Sequence, residues 1–87
     1  MEYSIEFSSL FIKKYRNLET FLQDEVDEKV ELLKHKKNHE RLRVHKLGGR
    51  LKGIYSFSVS YKIRVTFSLA KRTVILLERI GTHDEVY

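Results

Sequence analysis

The sequence predicts one α+β domain over residues 1–87, in which an N-terminal strand and a helical hairpin precede a twisted, mostly antiparallel sheet of about four strands. Three observations predict this class. Apolar residues alternate at every second position near the start, recur at three and four residues in the next segment, and alternate again in the second half. Because a sheet with one apolar face needs a second layer, we expect the helices to cover it.

The first strand and the first helix follow each other directly. Residues 3–7 alternate apolar and polar side chains, which indicates a half-buried strand. Ser8 or Ser9 then offers a hydroxyl that can cap a short helix, which we expect to run through Leu18.

A second helix is predicted from Thr20 to about Lys37. Thr20 and Gln23 have the spacing of a capping box. Only a short joint at Glu19 separates this helix from the first, so the two are expected to form a hairpin. An apolar stripe recurs at four, four and three residues between acidic flanks, at Leu22, Val26, Val30 and Leu33.

The second half of the chain predicts the remaining strands. Within residues 55–61, aromatic or apolar side chains alternate with serines, which indicates a strand. Residues 63–69 show a similar alternation of apolar and polar side chains and predict a neighbouring strand. We place the following turn at 70–72. Residues 73–80 are almost continuously apolar, which is typical of a strand inside a sheet. Residues 44–47 are a candidate for a further short strand.

The face of the sheet away from the helices is predicted to carry Ser58, Arg64 and Thr66. In this arrangement Arg64 lies on an inner strand, with Ser58 on one side and Glu78 on the other. Two roles for Arg64 stay open: it could hold a phosphate bidentately, or it could form an ion pair with Glu78. Arg64 can have both roles if an ion pair with Glu78 orients the guanidinium toward the phosphate.

Charge is divided unevenly along a chain of net charge +5. Acidic residues cluster in 19–31, whereas 34–52 is basic and contains Glu40 as its only acid. The first bases of this block complement the dipole at a helix end. Residues 41–52 lie beyond the predicted helix, so they indicate a surface that faces an anion.

Composition excludes several classes of protein. The chain has no cysteine, so it has no disulfide framework and no thiolate metal site. It begins without a signal-peptide pattern, and its longest uncharged run, 53–61, is too short to span a bilayer. We therefore expect a cytoplasmic protein with no membrane partner and no cofactor. His35 and His39 have helical spacing, but without a third ligand we interpret them as a basic helix end rather than a metal site.

Three segments carry a family resemblance: HKLGGRLKG at 45–53, YKIRVTF at 61–67 and RIGTHDEVY at 79–87. Together with the predicted element order, they resemble the RelE/ParE superfamily of toxins along nearly the whole chain. The ending, with His83 and the aromatic Tyr87, is most similar to the RelE and YafQ-like branches.

The resemblance implies the toxin of a type II toxin–antitoxin system, an endoribonuclease that cuts mRNA on the ribosome without a metal and so inhibits translation. The implied partners are a cognate antitoxin protein, mRNA and ribosomal RNA, with operator DNA contacted only through the antitoxin. The implied setting is the bacterial cytoplasm.

The resemblance also implies a catalytic set of His83, Arg64, His45 and Tyr87. Metal-free RNA cleavage needs a proton acceptor for the ribose 2′-hydroxyl, positive charge for the phosphorane and a proton donor for the leaving 5′-oxygen. We assign His83 as the preferred acid or base, and we expect Arg64, His83 and His45 to converge on the uncovered side of the sheet. Tyr87 could stack on a base, donate a proton or fray.

Lys46, Arg50 and Lys52 would bind RNA phosphates. Asp84 is left open between capping the last turn and holding His83. Each lysine has a plain alternative as a solvated surface residue.

Two alternative functions stay open. A ParE-like protein would inhibit DNA gyrase without being an enzyme, and a decayed toxin would retain only antitoxin or nucleic-acid binding. YafQ-like members carry a further histidine and an aspartate where this chain has Ser58 and Lys62, which leaves the second alternative open. His83 and Tyr87 favour the nuclease over the gyrase inhibitor.

Overall fold

The structure, a computed structural model, describes all residues 1–87 and confirms the α+β class. Two helices pack on one face of a five-stranded mixed sheet. In chain order the elements are β1 (Ser4–Phe7), α1 (Ser9–Arg16), α2 (Thr20–Leu33), β2 (His45–Lys46), β3 (Tyr55–Ser58), β4 (Arg64–Lys71), β5 (Val74–Gly81) and α3 (His83–Val86). Short 3-10 turns occupy Lys36–Asn38 and Gly49–Leu51. No helix has the length and apolar character needed to cross a membrane.

The strands are ordered β1-β5-β4-β3-β2 across the sheet. All neighbours are antiparallel except β1 and β5, which pair in parallel. The helical hairpin carries the chain from β1 to β2 at the opposite edge, and the following strands return across the sheet until β5 lies beside β1. The candidate strand at 44–47 is confirmed as β2, a two-residue edge strand against β3, and it brings the sheet to five strands where about four were predicted.

The start of α1 is fixed by Ser8. Its hydroxyl accepts a hydrogen bond from the Phe11 backbone N–H at 3.0 Å and donates one to the Glu78 carbonyl at 2.7 Å. One side chain therefore caps the helix and ties it to β5. The helix ends at Arg16, slightly before the predicted Leu18.

The predicted capping box at the start of α2 is wrong. Glu19, not Thr20, is the N-cap, and no side chain caps this end. The Gln23 amide instead donates to the Tyr15 carbonyl at 2.8 Å, so it links the two helices. Tertiary contact has thus replaced the local contact that the spacing suggested.

Helix α2 also ends earlier than predicted, at Leu33 rather than Lys37. The backbone beyond it pairs with the start of the chain: the Tyr3 N–H donates to the Lys34 carbonyl at 2.7 Å, and the Lys36 N–H donates to the Met1 carbonyl at 3.2 Å. These bonds use groups that a longer helix would have needed.

The core lies between the two helices and the sheet. Its fully buried side chains come from both layers, which is why neither layer could form a stable fold alone. Burial of each large apolar side chain contributes about 1.5–3 kcal/mol. The cluster comprises Phe11, Val26, Val30, Leu33, Leu42, Phe57, Val59, Val65, Phe67, Ile75, Leu77 and Ile80.

The pairing of β4 with β5 corrects the predicted neighbours of Arg64. Arg64 lies opposite Ser58 on β3, as predicted, but opposite Gly81 on β5 rather than Glu78. The turn falls at 72–73 instead of 70–72, and the register shifts again beside Thr66. The later turn accounts for the change of partner from Glu78 to Gly81, because the two register shifts, between Leu69 and Lys71 and between Thr66 and Phe67, are opposite and cancel.

Candidate functional site

A row of polar side chains crosses the sheet on the face away from α1 and α2. Strand pairing places His45 beside Ser56, Ser56 beside Thr66, and Thr66 beside Arg79. Directly paired residues point to the same face, and the alternating neighbours in β3 and β4 belong to the core. The row is therefore a continuous polar strip, with Ser58 and Arg64 in the next rank.

The middle of this strip is covered by the last turn of the chain. Ser56 is 0% exposed and Thr66 is 2% exposed, although both are polar. The Tyr87 hydroxyl forms a short hydrogen bond with the Ser56 hydroxyl, and Val86 is buried outside the main core cluster. Residues 83–87 thus form a small layer of their own on the polar face.

Tyr87 is held in place rather than frayed. Besides its bond to Ser56, its ring packs edge-on against the His83 imidazole, with ring centroids 4.3 Å apart and planes at 82°. His83 and Tyr87 occupy equivalent positions one turn apart on α3. The structure therefore brings an imidazole, a phenol and a buried hydroxyl into one contiguous set.

His83 is exposed at the rim of this set. Its Nδ1 lies 3.4 Å from a carboxylate oxygen of Asp84, and its Nε2 makes no hydrogen bond within the chain. Nε2 is consequently available to exchange a proton with a bound molecule. Asp84 contacts His83, whereas capping of α3 is done by other residues.

Helix α3 is anchored through Glu85. The Glu85 carboxylate accepts the Thr82 backbone N–H at 2.8 Å and completes a reciprocal capping box with Thr82. Its second oxygen lies 3.4 Å from the Lys14 ammonium on α1. Hydrogen bonds from Thr82, followed by the nearby Lys14 charge, hold the pKa of Glu85 below its usual range.

His45 reaches the same face from the edge strand β2. Its Nδ1 donates to the Arg43 carbonyl at 2.9 Å, and Arg43 itself adopts a left-handed conformation with φ of 61°. This local turn fixes the imidazole and leaves its Nε2 free. His45 and Tyr87 are both neighbours of Ser56, one by strand pairing and the other by a hydrogen bond.

The Arg64 guanidinium forms no ion pair with Glu78, so that predicted role is wrong. Its Nη1 instead donates to the carbonyls of Ser60 at 3.0 Å and Tyr61 at 3.2 Å, in the loop between β3 and β4. Arg64 lies at the same end of the sheet as His83, since its strand partner is Gly81. The structure therefore places the two residues at one end of the sheet and directs part of the guanidinium at the loop.

The three predicted phosphate ligands are separated. Lys46 pairs with Tyr55, which packs on the core, so Lys46 points to the opposite face from His45. Arg50 and Lys52 are exposed in and just after the 3-10 turn between β2 and β3. Arg50 and Lys52 therefore lie in the loop that precedes β3, whereas Lys46 faces away from the polar strip.

Sequence reasoning did not assign two residues of the strip, Ser56 and Arg79. Ser56 is one of several alternating serines, and its contact with Tyr87 spans 31 residues. Arg79 is exposed at the end of the strip, next to Glu78 in an otherwise apolar segment of the sequence. Alternation from the core residues Ile75 and Leu77 would place Arg79 on the core face; the register shift beside Thr66 moves it to the strip, and the sequence carries no signal for that shift.

The strands of the polar strip carry positive charge almost exclusively. Between Glu40 and Glu78 the sequence has no acidic residue. No lysine or arginine of this stretch has a carboxylate oxygen within 4.0 Å, because the ion pairs of the molecule lie elsewhere. These charges are therefore free to attract an external anion.

His35 and His39 have separate partners. His35 lies 3.2 Å from the Glu2 carboxylate, and the His39 Nε2 hydrogen-bonds to the Leu33 carbonyl while its ring stacks on Tyr3. Both lie beyond the end of α2, so they do not share a helical face as the spacing suggested. Their observed partners give them a structural role.

A cavity of about 860 Å³ lies between β1, α1 and α2. Its walls are mainly apolar, with Asp27, Glu31, Arg16 and Lys34 among the lining residues. None of the residues of the polar strip lines it. The cavity and the strip are therefore separate features of the molecule.

Solved structures share this fold. YafQ from Escherichia coli strain BL21(DE3) has a TM-score of 0.76 at 19% identity, with 99% of each chain covered. RelE in the archaeal RelE–RelB complex from Pyrococcus horikoshii has a TM-score of 0.74 at 22% identity, covering 94% of this chain and 96% of that one. A chain of the toxin–antitoxin complex RelBE2 from Mycobacterium tuberculosis has a TM-score of 0.72 at 19% identity, covering 95% and 100%.

No protein-family model matches the chain, and no curated protein matches it in sequence. The likeness is therefore one of fold. It confirms that the chain adopts the RelE/YafQ-like architecture that the sequence resemblance implied.

Proposed function

We propose that this protein is the toxin of a type II toxin–antitoxin system and that it cuts mRNA on the ribosome without a metal ion. The observation that supports this proposal is the polar strip, where Tyr87 and His45 both adjoin the buried Ser56 and His83 packs against the Tyr87 ring. The stretch between Glu40 and Glu78, which supplies β2, β3 and β4, carries no acidic residue. This combination supplies proton carriers and phosphate attraction on a single face.

The proposed reaction is an internal transfer within the RNA. One imidazole takes the proton of the ribose 2′-hydroxyl, and the 2′-oxygen then bonds to the adjacent phosphorus. The bond from phosphorus to the 5′-oxygen breaks, and this oxygen receives a proton from an acid group. The products are a 2′,3′-cyclic phosphate and a 5′-hydroxyl end, so no water or cofactor is consumed.

We assign His83 and His45 as the two proton carriers because the Nε2 of each imidazole makes no hydrogen bond within the chain. Tyr87 orders His83 by ring contact and can stack on a base. Arg79, and the part of the Arg64 guanidinium that the loop does not use, would bind the phosphate.

The proposed partners follow from the same surfaces. The basic segment 41–52 would contact mRNA and ribosomal RNA through their phosphates. A cognate antitoxin would silence the toxin, in line with the RelE–RelB and RelBE2 complexes of the structural neighbours. Operator DNA would be contacted only through that antitoxin.

The test is induction of the chain in growing cells, followed by mapping of transcript ends. We expect arrested translation and new mRNA 5′ ends within translated regions. His83→Ala should slow cleavage by roughly 100- to 10,000-fold, the usual contribution of a positioned acid or base. His35→Ala is the matched control, because that histidine contacts only Glu2 and should leave cleavage unchanged.

Three outcomes would contradict the proposal. Full toxicity of a folded His83→Ala variant would remove the assigned site. DNA damage with intact mRNA would select a gyrase inhibitor. Harmless expression of the wild-type chain would select a protein that retains only binding.

A further inference from the structure

The most exposed aromatic ring of the molecule lies in the loop between β3 and β4. Tyr61 is 92% exposed, whereas most aromatic side chains of this chain contact the core or another ring. Its ring is large and apolar, yet no other side chain covers it. Lys62, the next residue, is also exposed and has no carboxylate partner.

The loop that carries Tyr61 is tightly held. The Val59 N–H donates to the Ile63 carbonyl at 2.9 Å, and the Ile63 N–H donates to the Ser60 hydroxyl at 3.3 Å. Val59 is buried and Ile63 packs against the core. Exposure of the tyrosine therefore does not result from a loose loop.

Arg64 adds a second restraint from within β4. Its guanidinium donates to the carbonyls of Ser60 and Tyr61, so it fixes the backbone on which the ring is mounted. A rigid support lowers the entropy that is lost when an exposed side chain binds a ligand. The loop therefore holds the exposed Tyr61 ring on a fixed backbone, where the ring can contact a ligand.

The loop lies at the end of the sheet where α3 begins. It leads directly into Arg64, and Arg64 is paired with Gly81, two residues before His83. Tyr61 lies three residues before Arg64, so the loop extends beyond the Arg64 end of the polar strip. A ligand that extends from the strip toward this end of the sheet would meet the ring.

We propose that Tyr61 is a stacking platform for an unpaired RNA base next to the cleaved bond, with Lys62 binding the adjoining phosphate. This subsite rests on the proposed ribonuclease function and defines how the substrate extends beyond the reacting groups. Aromatic rings bind bases face to face, and an adjacent cation favours a polynucleotide over a neutral partner. The absence of acidic residues between Glu40 and Glu78 also disfavours a basic partner there.

The test uses a short 2′-O-methyl RNA that cannot be cut and that carries 2-aminopurine at each position in turn. Stacking on the ring changes the fluorescence of the base it meets. Tyr61→Ala should weaken binding roughly 5- to 150-fold, while Tyr61→Phe retains affinity because it retains the ring. The matched control is Phe21→Ala, since Phe21 is 60% exposed but lies on the acidic helix α2.

Two further measurements separate the base from its phosphate. With an abasic sugar at the position that Tyr61 meets, wild type and Tyr61→Ala should bind equally. Lys62→Ala should instead reduce the slope of log affinity against log salt by about 0.7, the value for one phosphate contact on a single strand.

Equal binding of the base-bearing RNA by wild type and Tyr61→Ala would overturn the inference. A loss of affinity in Tyr61→Ala that persists with the abasic probe would also overturn it. So would an equal loss of affinity for a polyglutamate peptide, because that result would indicate an acidic protein partner. Because the probe is uncleavable, these results do not depend on whether the wild-type chain cuts mRNA, which is decided separately by mapping transcript ends.

Discussion

At the scale of single residues, Ser56 shows how position determines role. It is one of several serines in an alternating strand, but it alone is fully buried beneath the last turn and bonded to Tyr87. The hydrogen bond between the two hydroxyls fixes the Tyr87 ring, because loss of this bond would leave the buried Ser56 hydroxyl without a partner, which costs free energy. Ser58, two residues along the same strand, lies at the edge of the strip and has no such bond.

Removal of the Ser56 hydroxyl should release Tyr87. We expect Ser56→Ala to reduce the free energy of unfolding by about 1 kcal/mol and to slow RNA cleavage, whereas Ser58→Ala does neither. In a double-mutant cycle with Tyr87→Phe, measured by denaturant unfolding and by cleavage rate, the two effects should not add. Fully additive losses would show that the two hydroxyls do not act together.

Tyr15 provides a second residue-scale prediction, for alkaline pH. Its hydroxyl donates to Asp27 at 2.6 Å, and this bond, with burial and the nearby acids, raises the pKa of Tyr15 to about 12. A raised pKa stabilises the protonated folded state, so this contribution is present below the ordinary value near 10 and is lost as pH rises toward 12.

Stability should therefore fall more steeply between about pH 10 and 12 in wild type than in Tyr15→Phe. Unfolding in denaturant over this range is the measurement. Parallel curves for the two proteins would show that the contact with Asp27 does not persist in solution. Tyr61→Phe, at a fully solvated tyrosine, is the control for nonspecific ionisation.

At the scale of elements, α3 depends on a glycine that is not in a left-handed conformation. A Cβ at Gly81 would lie 2.8 Å from Oε1 and 3.0 Å from Cβ of Glu85, closer than atoms normally approach. Glu85 holds α3 to Thr82 and to Lys14. The short helix that carries His83 therefore requires a residue without a side chain just before it.

Gly81→Ala should push Glu85 aside and loosen α3. We expect a destabilisation of about 1–3 kcal/mol, typical of overpacking, together with faster amide exchange in residues 82–87. The control is Gly48→Ala, because a Cβ at Gly48 has no neighbour within 4 Å. Unchanged exchange in Gly81→Ala would show that α3 adapts without loss.

At the scale of the whole molecule, charge separates into two regions. Helix α2 carries Asp24, Glu25, Asp27, Glu28 and Glu31, whereas everything from Arg41 to Leu77 that is charged is basic. A net charge of +5 thus understates the positive potential near the polar strip. RNA binding should depend steeply on salt.

Substitution of both Arg50 and Lys52 by glutamine should lower the salt slope of RNA binding by about 1.4, or 0.7 for each lost phosphate contact. Lys34→Gln should change it little, because the Lys34 ammonium lies 2.7 Å from the Glu31 carboxylate. Titration of the uncleavable RNA at several salt concentrations measures the slope. Equal slopes in all three proteins would place the RNA elsewhere on the surface.

The sequence by itself determined the classes of element and their order. Each strand or helix that buries one face carries apolar residues at a regular spacing, and this spacing is a local property of the sequence. It predicted β1, β3 and β4 from their alternation and α2 from its apolar stripe. The basic segment is likewise visible in the sequence, whereas His83 and Tyr87 were proposed from the resemblance of the ending to RelE and YafQ-like toxins and stay a prediction.

Only the tertiary structure decided which of these residues meet. The partner of Arg64 changed from Glu78 to Gly81 because the position of the turn sets the register, and alternation does not fix where the turn falls. The link from Ser56 to Tyr87 and the separation of Lys46 from His45 likewise depend on strand pairing between distant segments. A repeat of two residues specifies the two faces of a strand, but the residues opposite each other are determined only when the core packs.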